Sequence, residues 1–574
     1  MAISKEIYET YLVGEKPANY RTLSGIELKE FYTADDVTPD DSVPGEYPFT
    51  RGIHQDMYRR RFWTRRQQSG FGTPRSSNER FKFLLSVGET GLNVNTDVGT
   101  KLGLDPDYPL AQGDIGLQGA SIATFEDMEE LFDDVPLDKV SSTLIIQPPY
   151  SAVFMAMYIL LARKRGIPED KLIGTIMNCP LTQLVGPNHE AVSRFFPVRS
   201  SIDIGLDVME YCTRHMPRWN IVNINAYNIR ECGVNAIQEA AFAFSIGMEY
   251  VQGLIDRGLK IDDFARRIGF FSAFQMDFLE EIAKLRAMRR LWARLMKERF
   301  GAKDPRSCFF RTAIQTAALP LTAQQPLNNI ARTAIQTLGA VLAGTQSIHT
   351  TGYDEAYSLP TEESHKLSVR IQQVVAYETN VVKTVDPLGG SYAIENLTDQ
   401  LEAKIVNLMR VIEDRGGFVK CFEEGWVEDQ LNEARYKNAR DLEEKEVHSV
   451  GVNIFREEDE KIDLNIFKHS REMQLERIDY IKNYKKNRDH QKVKRVLDNL
   501  SEKVKARERT NLFVPIMEAV EGKATMQEII DTLRRVENFQ IPGQLLPVLK
   551  NNAFTHSGSD KPEEGLWLKR KKSG

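Results

Sequence analysis

Cysteine is scarce. There are five in 574 residues (Cys179, Cys212, Cys232, Cys308, Cys421), with no Cys-x-x-Cys pair and no even framework. Neither a disulfide scaffold nor a structural metal site is therefore expected. No apolar run approaches the ~18 residues of a membrane span. The start, Met1-Ala2-Ile3-Ser4-Lys5-Glu6, lacks the apolar stretch of a signal peptide. Positive charge is not in excess either: 75 Lys and Arg against 81 Asp and Glu leave a net charge of -6, the wrong sign for a general nucleic-acid binder. These absences point to a cytoplasmic protein with reduced thiols, no metal of its own, and no membrane or nucleic-acid partner.

What the chain has is length, more than one compact core needs. Size alone suggests about three or four domains, although a barrel absorbs ~250 residues by itself. Residues 1–46 are polar and turn-rich and read as an arm laid over a neighbour or frayed. From Gly91 onward, β-rich runs alternate with helix-length sequence: Gly91–Val98, Ser141–Gln147, Leu172–Asn178, Asn220–Tyr227, Arg267–Phe274, Ser307–Gln315, Ala343–His349 and Val381–Val385. Alternation of this kind predicts a parallel sheet, and eight units predict a (β/α)8 TIM barrel over 47–398. Asn93, Asn95, Thr96, Asn223, Asn225, Thr312 and Gln315 interrupt strands that would ordinarily be filled by Val, Ile and Leu. They suit either a ligand-receiving interior or a hydrogen-bonded polar layer. Residues 399–545 read as a charged helical linker region and 546–574 as a polar tail. Within the former, Met473, Leu475, Ile478 and Ile481 form an apolar stripe and Thr525-Met526-Gln527-Glu528 a capping box.

Between Tyr47 and Phe71, arginines interleave with aromatics, as in Arg61-Phe62-Trp63-Thr64-Arg65-Arg66-Gln67-Gln68-Ser69-Gly70-Phe71. Guanidinium forks bind phosphate oxygens and rings stack on flat bases, so the passage suits a phosphorylated nucleotide-like ligand. This passage resembles the coenzyme A entry segment of the adenosylcobalamin-dependent acyl-CoA mutases, which act on methylmalonyl-, isobutyryl-, ethylmalonyl- or 2-hydroxyisobutyryl-CoA. Further matches follow in order: Gly113-Asp114-Ile115-Gly116, Arg311-Thr312, Gln315-Thr316, Leu321-Thr322-Ala323-Gln324, Thr345-Gln346-Ser347-Ile348-His349-Thr350, Asp354-Glu355-Ala356 and Asp386-Pro387-Leu388-Gly389-Gly390-Ser391.

The resemblance implies an isomerase that uses a cobalamin-derived radical to move a group between neighbouring carbons of an acyl-CoA. It implies that the N-terminal arm meets a partner subunit. The family's cobalamin domain carries Asp-x-His-x-x-Gly, which this sequence lacks; Glu446-Val447-His448-Ser449-Val450-Gly451 is the nearest string. The expectation is therefore a large subunit whose adenosylcobalamin is held mainly by a separate small subunit carrying that motif, with a reactivating G-protein chaperone as a further partner. By position, His54, Met57, Arg61, Thr64, Arg66, Thr143, Thr175 and Arg267 would bind coenzyme A. Gly70, Gln315, Gln346, Thr351 and Glu355 would face the cofactor, Glu355 taking the ribose hydroxyls and Thr351 replacing a family Asn.

The departures fall in the reaction pocket. Gln68 stands for a Tyr, Phe or Ile, Thr96 for a Phe or Asp, Met177 for a Gln, Pro187 for an Arg, Asn228 for a His and Ala313 for a second His. Gln68, Thr96, Tyr227 and Asn228 are thus the candidate catalytic positions. Asn95, Met177, Pro187, Ala313 and Arg311 would line the acyl pocket. Loss of the carboxylate-pairing Arg disfavours methylmalonyl-CoA, since an unpaired buried carboxylate costs several kcal/mol. Lost volume predicts a bulky acyl group, such as an aryl- or alkylsuccinyl-CoA, with Arg230 or Arg311 as a replacement carboxylate partner. The alternatives are a small uncarboxylated acyl-CoA (isobutyryl-, pivalyl- or 2-hydroxyisobutyryl-CoA) and a non-catalytic CoA-binding subunit.

Overall fold

A computed structural model describes residues 19–39, 41–181, 195–457, 460, 464–506 and 510–539. Ten strand segments are present among them: β1 (Thr64–Arg65), β2 (Gln68–Ser69), β3 (Gly91–Asn95), β4 (Ser141–Ile145), β5 (Gly174–Ile176), β6 (Trp219–Asn220), β7 (Val222–Asn225), β8 (Ile268–Phe274), β9 (Arg311–Thr316) and β10 (Ser347–His349). All pairings between them are parallel, in two ladders of order β1-β10-β9-β8-β7 and β2-β3-β4-β5-β6.

The ladders share both ends. β1 and β2 are one stretch of chain whose first half pairs with β10 and whose second half pairs with β3. β6 and β7 likewise pair with β5 and β8 in turn. Bonds such as Arg66 N–H to Ile348 O (3.0 Å) and Asn223 N–H to Met177 O (3.0 Å) carry the connection across each divided stave. The result is the expected (β/α)8 barrel, closed by eight staves, with the loops after the strands gathered at one mouth.

Two expectations are corrected. Val381–Val385 is not a strand; Val381–Lys383 form a 3-10 turn after Asn380, whose φ of 63° ends the preceding helix. The eighth stave is instead Thr64–Ser69, inside the Arg-aromatic passage and ahead of the first strand expected from the sequence. In the helix Arg471–Asn487, Leu475 is 54% exposed and the buried positions are Arg477 and Ile481, so the seam turns away from the Leu475 side of the expected stripe.

The helices follow from their ends and faces. Thr73 caps Pro74–Ser86 by accepting from Ser76 N–H, with Pro74 at the first turn. The capping box expected at Thr525 and Glu528 is formed at the head of Met526–Val536. The helix Tyr150–Lys164 is apolar nearly all round and almost wholly buried, because the C-terminal helices Phe513–Glu521 and Met526–Val536 cover the side that the barrel does not. Those helices also brace the mouth. Thr525 and Gln527 bond Asp105, and Arg534 donates to Phe195 O and Leu102 O. Of the arm, the described part lies on this chain's own barrel: Leu23 N–H donates to Asp277 at 2.7 Å and Asn396 donates to Asp36 O at 2.6 Å. No helix of the described residues is long and apolar enough to cross a membrane.

Candidate functional site

On half of the barrel the inward side chains rise in three rows from the N-terminal to the C-terminal end: Asn223, Gly269 and Arg311; then Asn225, Phe271, Ala313 and Ser347; then Ala273, Gln315 and His349. On the other half, Gln68, Asn93, Thr143 and Thr175 stand abreast. Most of these residues are too small or too polar to interdigitate into an aliphatic plug. The axis accordingly holds a cavity of about 420 Å³, walled among others by Asn93, Thr143, Thr175, Asn223, Ser347 and His349, space that a fully packed polar layer would not leave.

The lower end is cationic. His54, Arg61, Arg218 and Arg311 line it where the strands begin, and a second cavity of about 400 Å³, sharing His54, Arg61, Thr64 and Gln346, adjoins it beside Met57, Arg60, Phe62 and Trp63. Burial, then the charges of Arg266 and Arg306, lowers the Arg311 pKa, and its Nε lacks a hydrogen-bond partner. Burial and Arg311 together push His54 below its usual value, so it is a neutral ring there. Other members of the Arg-aromatic passage also have structural partners. Arg51 pairs with Asp386 (3.0 Å), Arg65 donates to Gly88 O (2.9 Å), and Trp63 is buried with its indole N–H on Gln372 (2.9 Å).

Arg66 lies at the waist, buried, with its pKa lowered to about 10 by desolvation and its charge therefore retained. It donates to the hydroxyl oxygens of Thr143 and Ser141, and Asn220 Nδ2 donates to Thr175 Oγ1 at 2.8 Å. A hydroxyl that accepts such a bond has its own proton to give, so Ser141, Thr143 and Thr175 present donors to a polar chain threaded along the axis.

Two expected CoA or cofactor positions are corrected. Arg267 faces away from the cavity, donating to the carbonyls of Cys212, Thr213, Met216 and Asp263, and thus ties down the end of the helix Val198–His215. Gln346 sits at the cationic end, its amide spent on Thr312 N–H (2.9 Å) and Gly344 O (2.8 Å). Arg218, which lines the cavity where Arg267 does not, immediately precedes β6, as Arg61 stands shortly before β1; that placement was the available signal.

Upward the wall becomes apolar. Ile145, Met177, Tyr227, Phe271, Ala273 and Ala317 form a cluster of their own, with Ala313 against it and the Tyr227 and Phe271 rings 5.4 Å apart. Burial, followed by the charges of Glu231 and Glu355, raises the Tyr227 hydroxyl well above its usual pKa, keeping it a neutral phenol. Beyond this cluster lies a polar mouth. Gln315 Oε1, Thr96 Oγ1 and Glu231 Oε1 are buried without hydrogen-bond partners. Glu355 is open to water on one side, yet the protein around it, then Asp354, pushes its carboxyl up to about 7. Orphaned acceptors beside an accessible carboxylate fit a hydroxylated cofactor group.

Other expected residues take different parts. Thr351 spends its hydroxyl on Thr316 O (2.6 Å). Asn95 Nδ2 donates to Gln118 O (2.8 Å). Gly70, at φ 145°, admits the close approach of Asn95 O rather than of a ligand, since a Cβ there would lie 2.2 Å from that oxygen. Arg230 is not available to a substrate carboxylate: it is buried with Glu239 (3.4 Å) and Glu281 (3.0 Å). Arg311, in the lowest row, stands at the opposite end from the apolar cluster. Asn228 is half-buried on the short helix Ala226–Glu231, its backbone N–H capped by Asn225 at 3.0 Å. Pro187 lies outside the described residues. Glu231 and His349 were not singled out from sequence as site residues; His349 was visible as the inward residue two beyond Ser347.

A family model described as methylmalonyl-CoA mutase matches residues 21–539. The chain is 39% identical over 526 residues to the 2-hydroxyisobutanoyl-CoA mutase large subunit of Aquincola tertiaricarbonis, covering 91% of this chain and 92% of that protein. It is 38% identical over 521 residues to the methylmalonyl-CoA mutase of Rhizobium meliloti (90% and 72% covered). With the human mitochondrial methylmalonyl-CoA mutase the figures are 36% over 528 residues (92% and 70%).

Proposed function

The chain belongs to the methylmalonyl-CoA mutase family and is an isomerase; on that premise we propose that it is the large subunit of an adenosylcobalamin-dependent mutase acting on a compact, uncarboxylated acyl-CoA. The observation that carries the substrate reading is the polarity of the axial cavity. Among the described residues, Arg61, Arg66, Arg218 and Arg311 are the Lys and Arg side chains on its wall, and all four stand at or below the waist, away from Ile145, Met177, Phe271 and Ala313. A carboxylate there would be desolvated without a partner, at a cost of several kcal/mol. The Aquincola relative, named for a hydroxylated branched acyl-CoA and as a large subunit, supports both the acyl group and the separate small subunit.

In this reading Arg61, Arg218, Arg311 and His54 take the phosphates, and Arg66 with Ser141, Thr143 and Thr175 hold the pantetheine chain. The apolar cluster excludes water from the acyl group. Gln315 and Glu355 would hold the ribose hydroxyls of the adenosyl group. When bound, adenosylcobalamin supplies the radical that removes hydrogen from the acyl group. The chain's own contribution is to orient the thioester and keep the pocket dry.

A bulky acyl group is the second reading, favoured by the run of small residues Ala273, Ala313 and Ala317 along the wall. Reconstitution with the small subunit and adenosylcobalamin, offering isobutyryl-, 2-hydroxyisobutyryl- and pivalyl-CoA beside methylmalonyl- and arylsuccinyl-CoA, decides by mass spectrometry of the products. Rearrangement confined to the first three is expected. Turnover of the arylsuccinyl thioester would favour the second reading, and binding without any rearrangement a CoA-binding scaffold.

A further inference from the structure

We propose that His349 is the hydrogen-bond donor to the thioester carbonyl, presenting Nε2–H to the acyl-CoA in the axial cavity. This deepens the reading above and rests on it. His349 ends β10, where Ser347 and His349 line the cavity and Ile348 points back into the core. The ring is fixed from behind, because the Gln68 backbone N–H donates to Nδ1 at 2.9 Å. A ring nitrogen that accepts a hydrogen bond carries no proton, so the proton of the neutral imidazole sits on Nε2.

The support continues outward. The Gln68 carbonyl accepts from His365 Nε2 (3.2 Å), and His365 Nδ1 lies 3.1 Å from Arg80, so the backbone segment that orients His349 is itself clamped. Burial holds both imidazoles neutral, with pKa values pushed down to about 3, and the Arg80 charge opposes protonation of His365. In the sheet His349 is level with Gln315 and Ala273, one row above Ala313, which lines the same cavity and packs against the apolar cluster. On this proposal the thioester of a chain entering from the arginine end sits at this level. Nε2 makes no hydrogen bond to a described residue, whereas Asn228, the other candidate donor, does not line this cavity. A neutral donor with a fixed tautomer strengthens its bond as negative charge builds on the carbonyl oxygen and needs no proton from solvent.

The test is isotope-edited infrared spectroscopy of the purified chain bound to an acyl-CoA labelled with ¹³C at the thioester carbonyl, with affinity followed by calorimetry. The bound carbonyl band should fall below its frequency in water in the wild type and in Asn228→Ala. It should return to the unshifted position in His349→Phe and be partly restored in His349→Gln, whose amide offers a donor near the Nε2 position. In the reconstituted enzyme His349→Phe should lower kcat roughly 10²-fold, with KM little changed. A shift that survives His349→Phe, or that disappears in Asn228→Ala while His349 is intact, overturns the proposal. So does a fall in kcat without a change in the band, which marks a merely structural residue. If His349→Phe does not fold, the pair Asn228→Ala and His349→Gln decides: a wild-type band in the first and a smaller shift in the second sustain it, and the reverse refutes it. Failure of the wild type to bind any acyl-CoA would instead refute the functional reading itself.

Discussion

Position 70 shows how a single residue holds two strands in register. Gly70 follows β2 at φ 145°, a conformation open to glycine and strained for other residues, and Asn95 O occupies the place of a Cβ. Gly70→Ala should therefore cost about 2–4 kcal/mol, read as a lower urea midpoint with an unchanged slope. At Glu231 the effect is one of pH. Burial raises its carboxyl to about 8, from a usual value of 4.5, so between those values folding takes up a proton. Its contribution is complete below about 4.5 and is lost as pH rises through 8. Gln mimics the protonated form and escapes that loss. Glu231→Gln should melt with the wild type at pH 5 and above it at pH 9; equal melting temperatures at both would mean that the carboxyl titrates normally.

At the scale of elements, sequence reading succeeded where burial and propensity agree, and failed where the interior is polar. The runs around β3, β4, β5, β7, β8 and β9 each carry enough apolar or β-branched residues to announce a strand. Thr64-Arg65-Arg66-Gln67-Gln68-Ser69 carries almost none, because its inward side chains face a cavity and Arg65 turns out to Gly88. Val381–Val385 has the composition of a strand but follows a left-handed Asn380 with no neighbour to pair with. The helix Arg471–Asn487 failed differently. Its buried seam centres on Arg477, which reaches Asp127 with both terminal nitrogens at 2.9 Å and Ser121 O at 3.1 Å. Arg477→Leu would leave the Asp127 carboxylate buried, partly satisfied by the N–H groups of Ala123 and Thr124. We expect a loss of about 3 kcal/mol, and limited proteolysis should cut this helix sooner than in the wild type.

Across the whole molecule the cavity has a polarity, arginines at one end and an apolar cluster at the other, and on the proposed function that polarity would select one class of thioester. Composition hid that polarity, since the same alternating Asn and Thr suit a solvated layer. Of the positions that resemblance assigned to CoA, Arg61, Thr64, Arg66, Thr143 and Thr175 line the axial cavity, whereas Arg267, and Gln346 among those assigned to the cofactor, bond the backbone here. The acyl end is where the two substrate readings diverge, and Thr96 and Ala313 test them. Ala313 stands on the cavity wall against the apolar cluster, so Ala313→Phe places a ring at the acyl end, whereas Thr96 is buried with an unpartnered hydroxyl beyond that cluster, so Thr96→Phe adds its ring only where a larger acyl group would reach. Every substrate carbon displaced by a ring costs about 1–3 kcal/mol of transition-state binding, or roughly 10- to 200-fold in kcat/KM. A compact acyl group should leave kcat/KM of Thr96→Phe within about tenfold of the wild type, with Ala313→Phe lower but measurable. An arylsuccinyl thioester, if turned over by the wild type, should lose activity beyond detection in both. Loss of the compact substrates in Thr96→Phe, with the fold intact by circular dichroism, would mean that the acyl group fills the space next to β3 and that the substrate is larger than we propose.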